Sequence, residues 1–343
     1  MSWPETMGAM VTLGHGDLDQ MVWHDDWPTP NPATGEVLIR VKACGLNNTD
    51  VNTRSGWYSK AVSDATTGGA FDEVSEDDPT WGGAPITFPR IQGADVCGEI
   101  IGVGQGVDPS RIGERVITDN WLRDPDDPTN MDKTGYFGSE RNGGFAEYTT
   151  IPSQNAIAIT SEFSDAELAT FSCSYSTAEG MLTCASVTEK DTVLIPGASG
   201  GVGGALVQLA KSRGARVIAM ASDAKHSDVA KLGPDRILPR APSDLAALLS
   251  DEKVTVLADV VGGPFWPKLI DVLERGGRYT CSGAIAGPMV ETDLRTLYLR
   301  DLTFFGSTII DPEVTRNLVT YIENGEVKPA LAATYPLKDL RKA

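Results

Sequence analysis

Asp191-Thr-Val-Leu-Ile-Pro-Gly197-Ala-Ser-Gly200-Gly-Val-Gly203-Gly-Ala-Leu-Val-Gln-Leu-Ala-Lys211 is the stretch on which the reading of this chain turns. It opens with Val193-Leu194-Ile195, a short apolar run of the length and branching expected of a buried parallel strand. It tightens into glycines and reopens with Leu206, Leu209 and Ala210 at the spacing of an amphipathic helix. Gly197, Gly200 and Gly203 form a G-x-x-G-x-x-G variant of the dinucleotide fingerprint, completed by Ala198, Ser199, Gly201 and Val202. Such a turn is glycine-rich because a pyrophosphate reaches backbone N–H groups at a helix N-terminus only where no side chain intervenes. Arg216-Val-Ile-Ala-Met-Ala221 follows as a second strand and closes a βαβ unit of roughly 30 residues.

The same residues also read as G-x-S-x-G, from Gly197 through Ser199 to Gly201, the nucleophile elbow of hydrolases. That chemistry needs an acid and then a histidine later in the chain. The only later histidine is His226, which falls inside the same βαβ unit and too early to serve. A glycine turn with no ligand is the remaining alternative.

Composition narrows the class. The chain has 343 residues, 41% apolar and 22% charged, the balance of a globular protein of two ordinary domains. A net charge of −18 argues against nucleic acid, whose phosphates are held by clustered Lys and Arg. No apolar run approaches the roughly 20 residues that span a bilayer, and Met1-Ser-Trp-Pro-Glu lacks the basic start of a signal peptide. The expectation is a cytoplasmic protein with a small-molecule substrate. Cys44, Cys97, Cys173, Cys184 and Cys281 contain no C-x-x-C pair, and His15, His24 and His226 are scattered, so no metal-ligand spacing stands out.

In chain order, residues 1 to about 60 alternate short β-like runs with turns, and Glu36–Ala43 has the alternation of a half-buried strand. Residues 61–89 form an acidic loop, read either as a solvated insertion or as a rim over a pocket. Ile91–Gly104 and Glu114–Thr118 read as strands of a small barrel, and 121–143 as a second polar loop. Trp57, Trp81 and Trp121 are candidate lining residues. Ser164 with Glu167 forms a capping box ahead of a helix, and Ser176–Leu182 reads as another. Strands at 192–196, 216–221, 236–239, 255–260, 277–281 and 302–307 alternate with helical stretches such as 243–251 and 265–274. The fold class is therefore α/β: a doubly wound parallel sheet preceded by a mostly β domain.

This order resembles the medium-chain dehydrogenase/reductase superfamily, with a GroES-like first domain at 1–159, joined by 310–343, and a Rossmann domain at 160–309. Asn47-Asn-Thr49-Asp50, Arg54-Ser-Gly-Trp-Tyr58 and Gly93-Ala-Asp95-Val-Cys-Gly98 look most like its zinc-independent quinone oxidoreductase branch. The zinc alcohol dehydrogenases of the superfamily place a Cys, a His and a Cys around the metal. The matching positions here are Asn47, Ala94 and Cys173, and Cys44 stands three places too early. One thiolate cannot hold a catalytic zinc that needs three protein ligands, so no metal is expected, and Cys173 reads as a small buried hydrophobe.

Without a metal to polarise a plain alcohol or ketone, a conjugated enone or quinone is the better hydride acceptor. The resemblance implies a zinc-independent reductase of quinones or α,β-unsaturated carbonyls. Tyr58 matches a tyrosine thought to act as proton donor or oxyanion partner in related enoyl reductases. Thr49 matches the hydroxyl of the alcohol dehydrogenase proton relay, and Asn47 is a second candidate donor to the carbonyl oxygen. A pocket wall at Tyr58 and a helix cap at Thr49 and Asp50 are the structural alternatives.

The resemblance also implies NADP(H). Ala221 stands where NAD-specific relatives carry an acid, and Ser222 and Lys225 match residues that hold the 2′-phosphate, although Asp223 also lies about 20 residues past the glycines. Thr177, Val261 and Ser282 are further candidate cofactor contacts. A redox sensor without turnover and an alcohol dehydrogenase are the alternative functions. Leu302–Ile310 reads as an apolar edge strand that would pair with a symmetry mate in a homodimer. The resemblance implies a last helix and strand beyond Leu340-Arg-Lys-Ala343, so either the natural protein is longer than this sequence or the closing segment is absent.

Overall fold

A computed structural model describes residues 3–67, 69–71, 74, 75 and 85–343. Trp81 and the acidic residues Asp72, Glu73, Glu76, Asp77 and Asp78 lie outside the described residues. In the first half, β1 (Thr6–Thr12) pairs antiparallel with β2 (Met21–Pro28). After β3 (Glu36–Gly45) and α1 (Asn48–Ser55) come β4 (Asp95–Val103), β5 (Arg115–Thr118), β6 (Trp121–Leu122), β7 (Gly135–Tyr136), β8 (Tyr148–Pro152) and β9 (Ala156–Ala158). Five of them form an antiparallel sheet in the order β8-β3-β4-β5-β9.

The alternation expected along β3 holds only in its second part, where Arg40 and Lys42 face solvent. Val37, Leu38 and Ile39 are all fully buried. The reason is local: β3 lies between β8 and β4, and its register with β4 shifts between Leu38 and Ile39, a bulge that turns consecutive side chains inward.

The second half begins with α2 (Asp165–Leu168), capped by Ser164 and Glu167 as expected, and α3 (Ser172–Cys184). Then strands and helices alternate: β10 (Thr192–Ile195), α4 (Gly201–Ser212), β11 (Arg216–Ala221), α5 (His226–Ala230), β12 (Arg236–Pro239), α6 (Leu245–Leu249), β13 (Val254–Asp259), α7 (Trp266–Asp271), β14 (Leu273–Cys281), α8 (Leu294–Leu299), β15 (Thr303–Gly306) and α9 (Pro312–Glu323). The six strands are parallel in the order β12-β11-β10-β13-β14-β15. Alternate residues leave opposite faces of the sheet. Val193, Ile195, Val217 and Ala219 join the cluster that holds α3 and α4, while Leu194, Ile218, Met220 and Leu257 join Trp266, Leu269 and Ile270. Both faces are covered, which is why these strands read as continuous apolar runs.

Strand order reverses beside β10, so the crevice at its carboxyl end is where such a sheet receives a ligand. The segment after 310 divides. Leu318, Val319 and Ile322 of α9 pack into the cluster around α3, whereas Leu337 and Leu340 pack beside β1 and the Arg341 guanidinium donates to the Met21 carbonyl. The edge strand is shorter than expected: β15 ends at Gly306, and Ile309 and Ile310 turn back onto Ala94, Trp121 and Tyr136. The loop 121–143 is likewise less polar than expected, because β6 and β7 bury Trp121, Tyr136 and Phe137. Among the described residues no helix is long and apolar enough to cross a membrane.

Candidate active site

Short local rules place the first group of residues. Asn47 is the N-cap of α1 and Gly56, at φ 81°, ends that helix in the left-handed region that glycine tolerates. Asp50, three residues into the helix, accepts the Asn47 N–H at 2.9 Å and the Gly93 N–H at 3.1 Å. That carboxyl ties α1 to the loop entering β4. Tyr58 follows in the turn after Gly56, half-buried, with its phenol bonded to the Asn52 side chain and close to Cys173 and Asp50.

Asp95 begins β4 and is 1% exposed. Its Oδ1 accepts the Cys173 N–H at 2.9 Å and Asn120 Nδ2 at 2.8 Å, and the same Asn120 nitrogen donates to Tyr136 Oη at 3.1 Å. Thr49 and Tyr136 both offer hydrogen bonds to the Cys173 thiol. Asn47, Thr49 and Tyr58 thus gather around Cys173, as do Asp50, Asp95, Asn120 and Tyr136. Trp121 stacks edge-on against Tyr136 at 5.1 Å, and with Ala94, Ile309 and Ile310 it forms an apolar wall. Trp57 is half-buried and donates its indole N–H to the Asp64 carbonyl at 2.9 Å.

Burial sets the protonation of this cluster. It pushes Asp50 up to about 7 and Asp95 up to about 6, against the N–H groups that favour the carboxylates, and the Asp95 charge raises Asp50 further. The Tyr58 phenol and the Cys173 thiol are also pushed up by burial, so both keep their protons at neutral pH. The Asn47 amide is close enough to Asp95 to favour its carboxylate, yet Nδ2 is buried without a hydrogen bond of ordinary geometry.

The second group sits at the carboxyl end of the parallel sheet. Ser199, Gly200 and Gly201 are exposed at the start of α4, with Gly200 as N-cap. A Cβ at Gly200 would find its nearest atom 3.5 Å away, leaving the amides open, whereas one at Gly203 would strike the Gly197 carbonyl oxygen at 2.1 Å. An open glycine at the cap and a crowded one inside the helix are what a pyrophosphate cradle requires. Ala198 is buried beneath the turn, Val202 is half-buried on α4, and Val261 packs over Gly197. Thr177 lies on α3, and the Ser282 N–H donates to the Asp259 carbonyl at 3.3 Å. Ser222 and Lys225 are exposed just past β11, and the Asp223 carboxylate beside them is 90% exposed and 3.7 Å from His226.

Comparison with known proteins decides what this arrangement belongs to. Residues 33–161 match the family described as Alcohol dehydrogenase GroES-like domain, and residues 201–324 match Zinc-binding dehydrogenase. A Sinorhizobium meliloti structure, solved as a candidate alcohol dehydrogenase, is 42% identical with a TM-score of 0.89, over 99% of this chain and 92% of that one. The chain belongs to the medium-chain dehydrogenase/reductase superfamily. Acryloyl-coenzyme A reductase from Metallosphaera sedula is 26% identical over 98% of this chain and 95% of its own. Human quinone oxidoreductase is 22% identical over 98% and 92%.

As a medium-chain dehydrogenase/reductase, the protein is an oxidoreductase working with a nicotinamide cofactor, and the open turn at α4 fits that cofactor. The zinc in the name of the second family does not fit. Its three positions hold an amide, a methyl and one protonated thiol, and among the described residues no three His, Cys, Asp or Glu side chains form a metal-holding group. Cys173 is buried as expected but is no plain hydrophobe, since Thr49 and Tyr136 bond to it.

Sequence reasoning missed four members of the cluster as site residues. Asp95 had a signal, standing next to the vacated second ligand position, and Asn52 lies one helical turn past Thr49. Asn120 and Tyr136 carried none, because only the long-range fold brings them to Asp95.

Proposed function

We propose that the protein is an NADPH-dependent, zinc-independent reductase of quinones or α,β-unsaturated carbonyls. The observation that carries this is the donor set where zinc-binding relatives hold metal: Asn47, Thr49 and Tyr58 can each offer a proton to a carbonyl oxygen, and none can take the place of a Lewis acid. When bound, the reduced nicotinamide supplies a hydride. Tyr58, kept protonated by burial, donates to the carbonyl oxygen as charge develops there after hydride reaches the conjugated carbon, and Asn47 holds the same oxygen. Trp121, Ile309 and Ile310 exclude water from the reacting carbons. The N–H groups of Gly201 and Val202, in the first turn of α4, hold the pyrophosphate, and Ser222 and Lys225 receive the 2′-phosphate, with Asp223 turned to solvent.

The named relatives support both reductases and alcohol dehydrogenases, and the missing metal ligands favour the first. The protein acts in the cytoplasm as a homodimer joined at β15, whose outer edge has no strand beside it among the described residues. Enones, quinones and secondary alcohols offered with NADPH, NADH and their oxidised forms test the function. Oxidation of NADPH by enones or quinones is expected. Alcohol-dependent reduction of the oxidised cofactor would instead make it an alcohol dehydrogenase, and tight NADPH binding with no turnover on any substrate would make it a sensor.

A further inference from the structure

The Asn47 carboxamide is read from both ends. Its Oδ1 accepts Ser174 Oγ at 3.4 Å, and its Nδ2 side meets the Asp95 carboxylate. Turning the amide over would set its oxygen against a carboxylate, so only one orientation is compatible with both neighbours. The two neighbours are themselves fixed. Two donors, the Cys173 N–H and Asn120 Nδ2, hold Asp95 Oδ1. Ser174 is buried on α3 against the first turn of α4, so close that a Cβ on Gly201 would lie 2.7 Å from its Oγ.

We propose that Asp95 and Ser174 are positioning residues that hold the Asn47 carboxamide with Nδ2 as donor to the substrate's carbonyl oxygen. Through Ser174, the orientation of that donor also depends on the first turn of the cofactor-binding helix. The inference rests on the reading of Asn47 as a donor to that oxygen. The amide nitrogen carries two N–H donors and makes no hydrogen bond of ordinary geometry, so with one turned to Asp95 the other is left for the carbonyl oxygen that this reaction brings. Both neighbours act on the developing negative charge only through Asn47, so they affect the transition state more than substrate or cofactor binding.

Steady-state kinetics with an enone and NADPH test this, using Asn47→Ala, Asp95→Asn, Ser174→Ala, Ser174→Thr and the double variant Asn47→Ala/Ser174→Ala. Asp95→Asn and Ser174→Ala should each lower kcat by about tenfold, with KM and the cofactor dissociation constant nearly unchanged. Ser174→Thr, which keeps the hydroxyl, should restore most of the loss. On the Asn47→Ala background, Ser174→Ala should have no further effect, because the residue it orients is gone. Ser174→Ala acting in full on that background, or changing KM and cofactor affinity rather than kcat, would overturn the inference. If Asp95→Asn does not fold, the Ser174 cycle carries the test. A wild-type kcat in Asn47→Ala would instead overturn the reading of Asn47 itself.

Discussion

Gly203 is pressed against Gly197: a Cβ on the first would come within 2.1 Å of the carbonyl oxygen of the second. That contact clamps the start of α4 onto the end of β10 and aims the helix's free N–H groups into the crevice where strand order reverses.

Two alanine substitutions separate the roles of these glycines. Gly203→Ala should cost about 1–3 kcal/mol of stability through overpacking, read as a fall in melting temperature. Gly200→Ala meets nothing closer than 3.5 Å, so it should melt like the wild type while binding NADPH about tenfold more weakly, because its methyl stands in front of the phosphate amides. Equal losses of stability in the two variants would contradict this division.

The second prediction concerns cofactor choice. Lys225 is exposed and 4.0 Å from Asp228, a loose surface pairing that leaves its charge available. Lys225→Ala should raise the dissociation constant for NADPH by about tenfold, the size of one charge-assisted contact, and leave that for NADH unchanged. Titration of both cofactors by fluorescence checks it. A wild-type protein that binds NADH more tightly than NADPH would refute the assignment of Ser222 and Lys225.

A third expectation follows from the buried carboxyls. Asp95 and Asp50 hold their protons up to about 6 and about 7, well above ordinary aspartate, because burial opposes their charge. The stability they contribute is therefore fully present below the ordinary aspartate range near ~4 and is lost as pH rises through those values. Thermal unfolding of wild type and Asp95→Asn at pH 5 and pH 8 should show the wild type losing more over that interval. A difference between the two proteins that stays constant from pH 5 to pH 8 would count against it.

The parallel sheet was legible because each of its strands is covered on both faces, which leaves an unbroken apolar run such as Val193-Leu194-Ile195 beside glycines whose spacing has a mechanical cause. The first domain was harder. A bulge after Leu38 overrides the alternation in β3, and two-residue strands such as β6 and β7 have no period to detect. In the candidate site, Asn47, Thr49 and Tyr58 could be named because the motifs that carry the family resemblance fall on one short helix and its following turn. Asp95 meets Cys173 across 78 residues and Asn120 across 25, pairings that local pattern does not encode. The edge strand was overestimated for a related reason. Ile309 and Ile310 look like its continuation, but the wall with Ala94 and Trp121 buries them more fully than an open edge would.

Tyr58 yields a prediction of its own. Tyr58→Phe keeps the ring and its 5.5 Å contact with Trp57 while removing the O–H. Turnover of an enone should fall by about 100-fold, the lower range for loss of a general acid, with cofactor affinity intact. Unchanged turnover would leave Tyr58 as a wall of the pocket.

The most direct measurement is NADPH oxidation by a simple enone before and after exhaustive treatment of the protein with a strong zinc chelator. The amide, methyl and protonated thiol at Asn47, Ala94 and Cys173 predict the same rate in both samples. Loss of turnover on chelation, restored by adding zinc, would contradict hydride transfer assisted by protein donors alone.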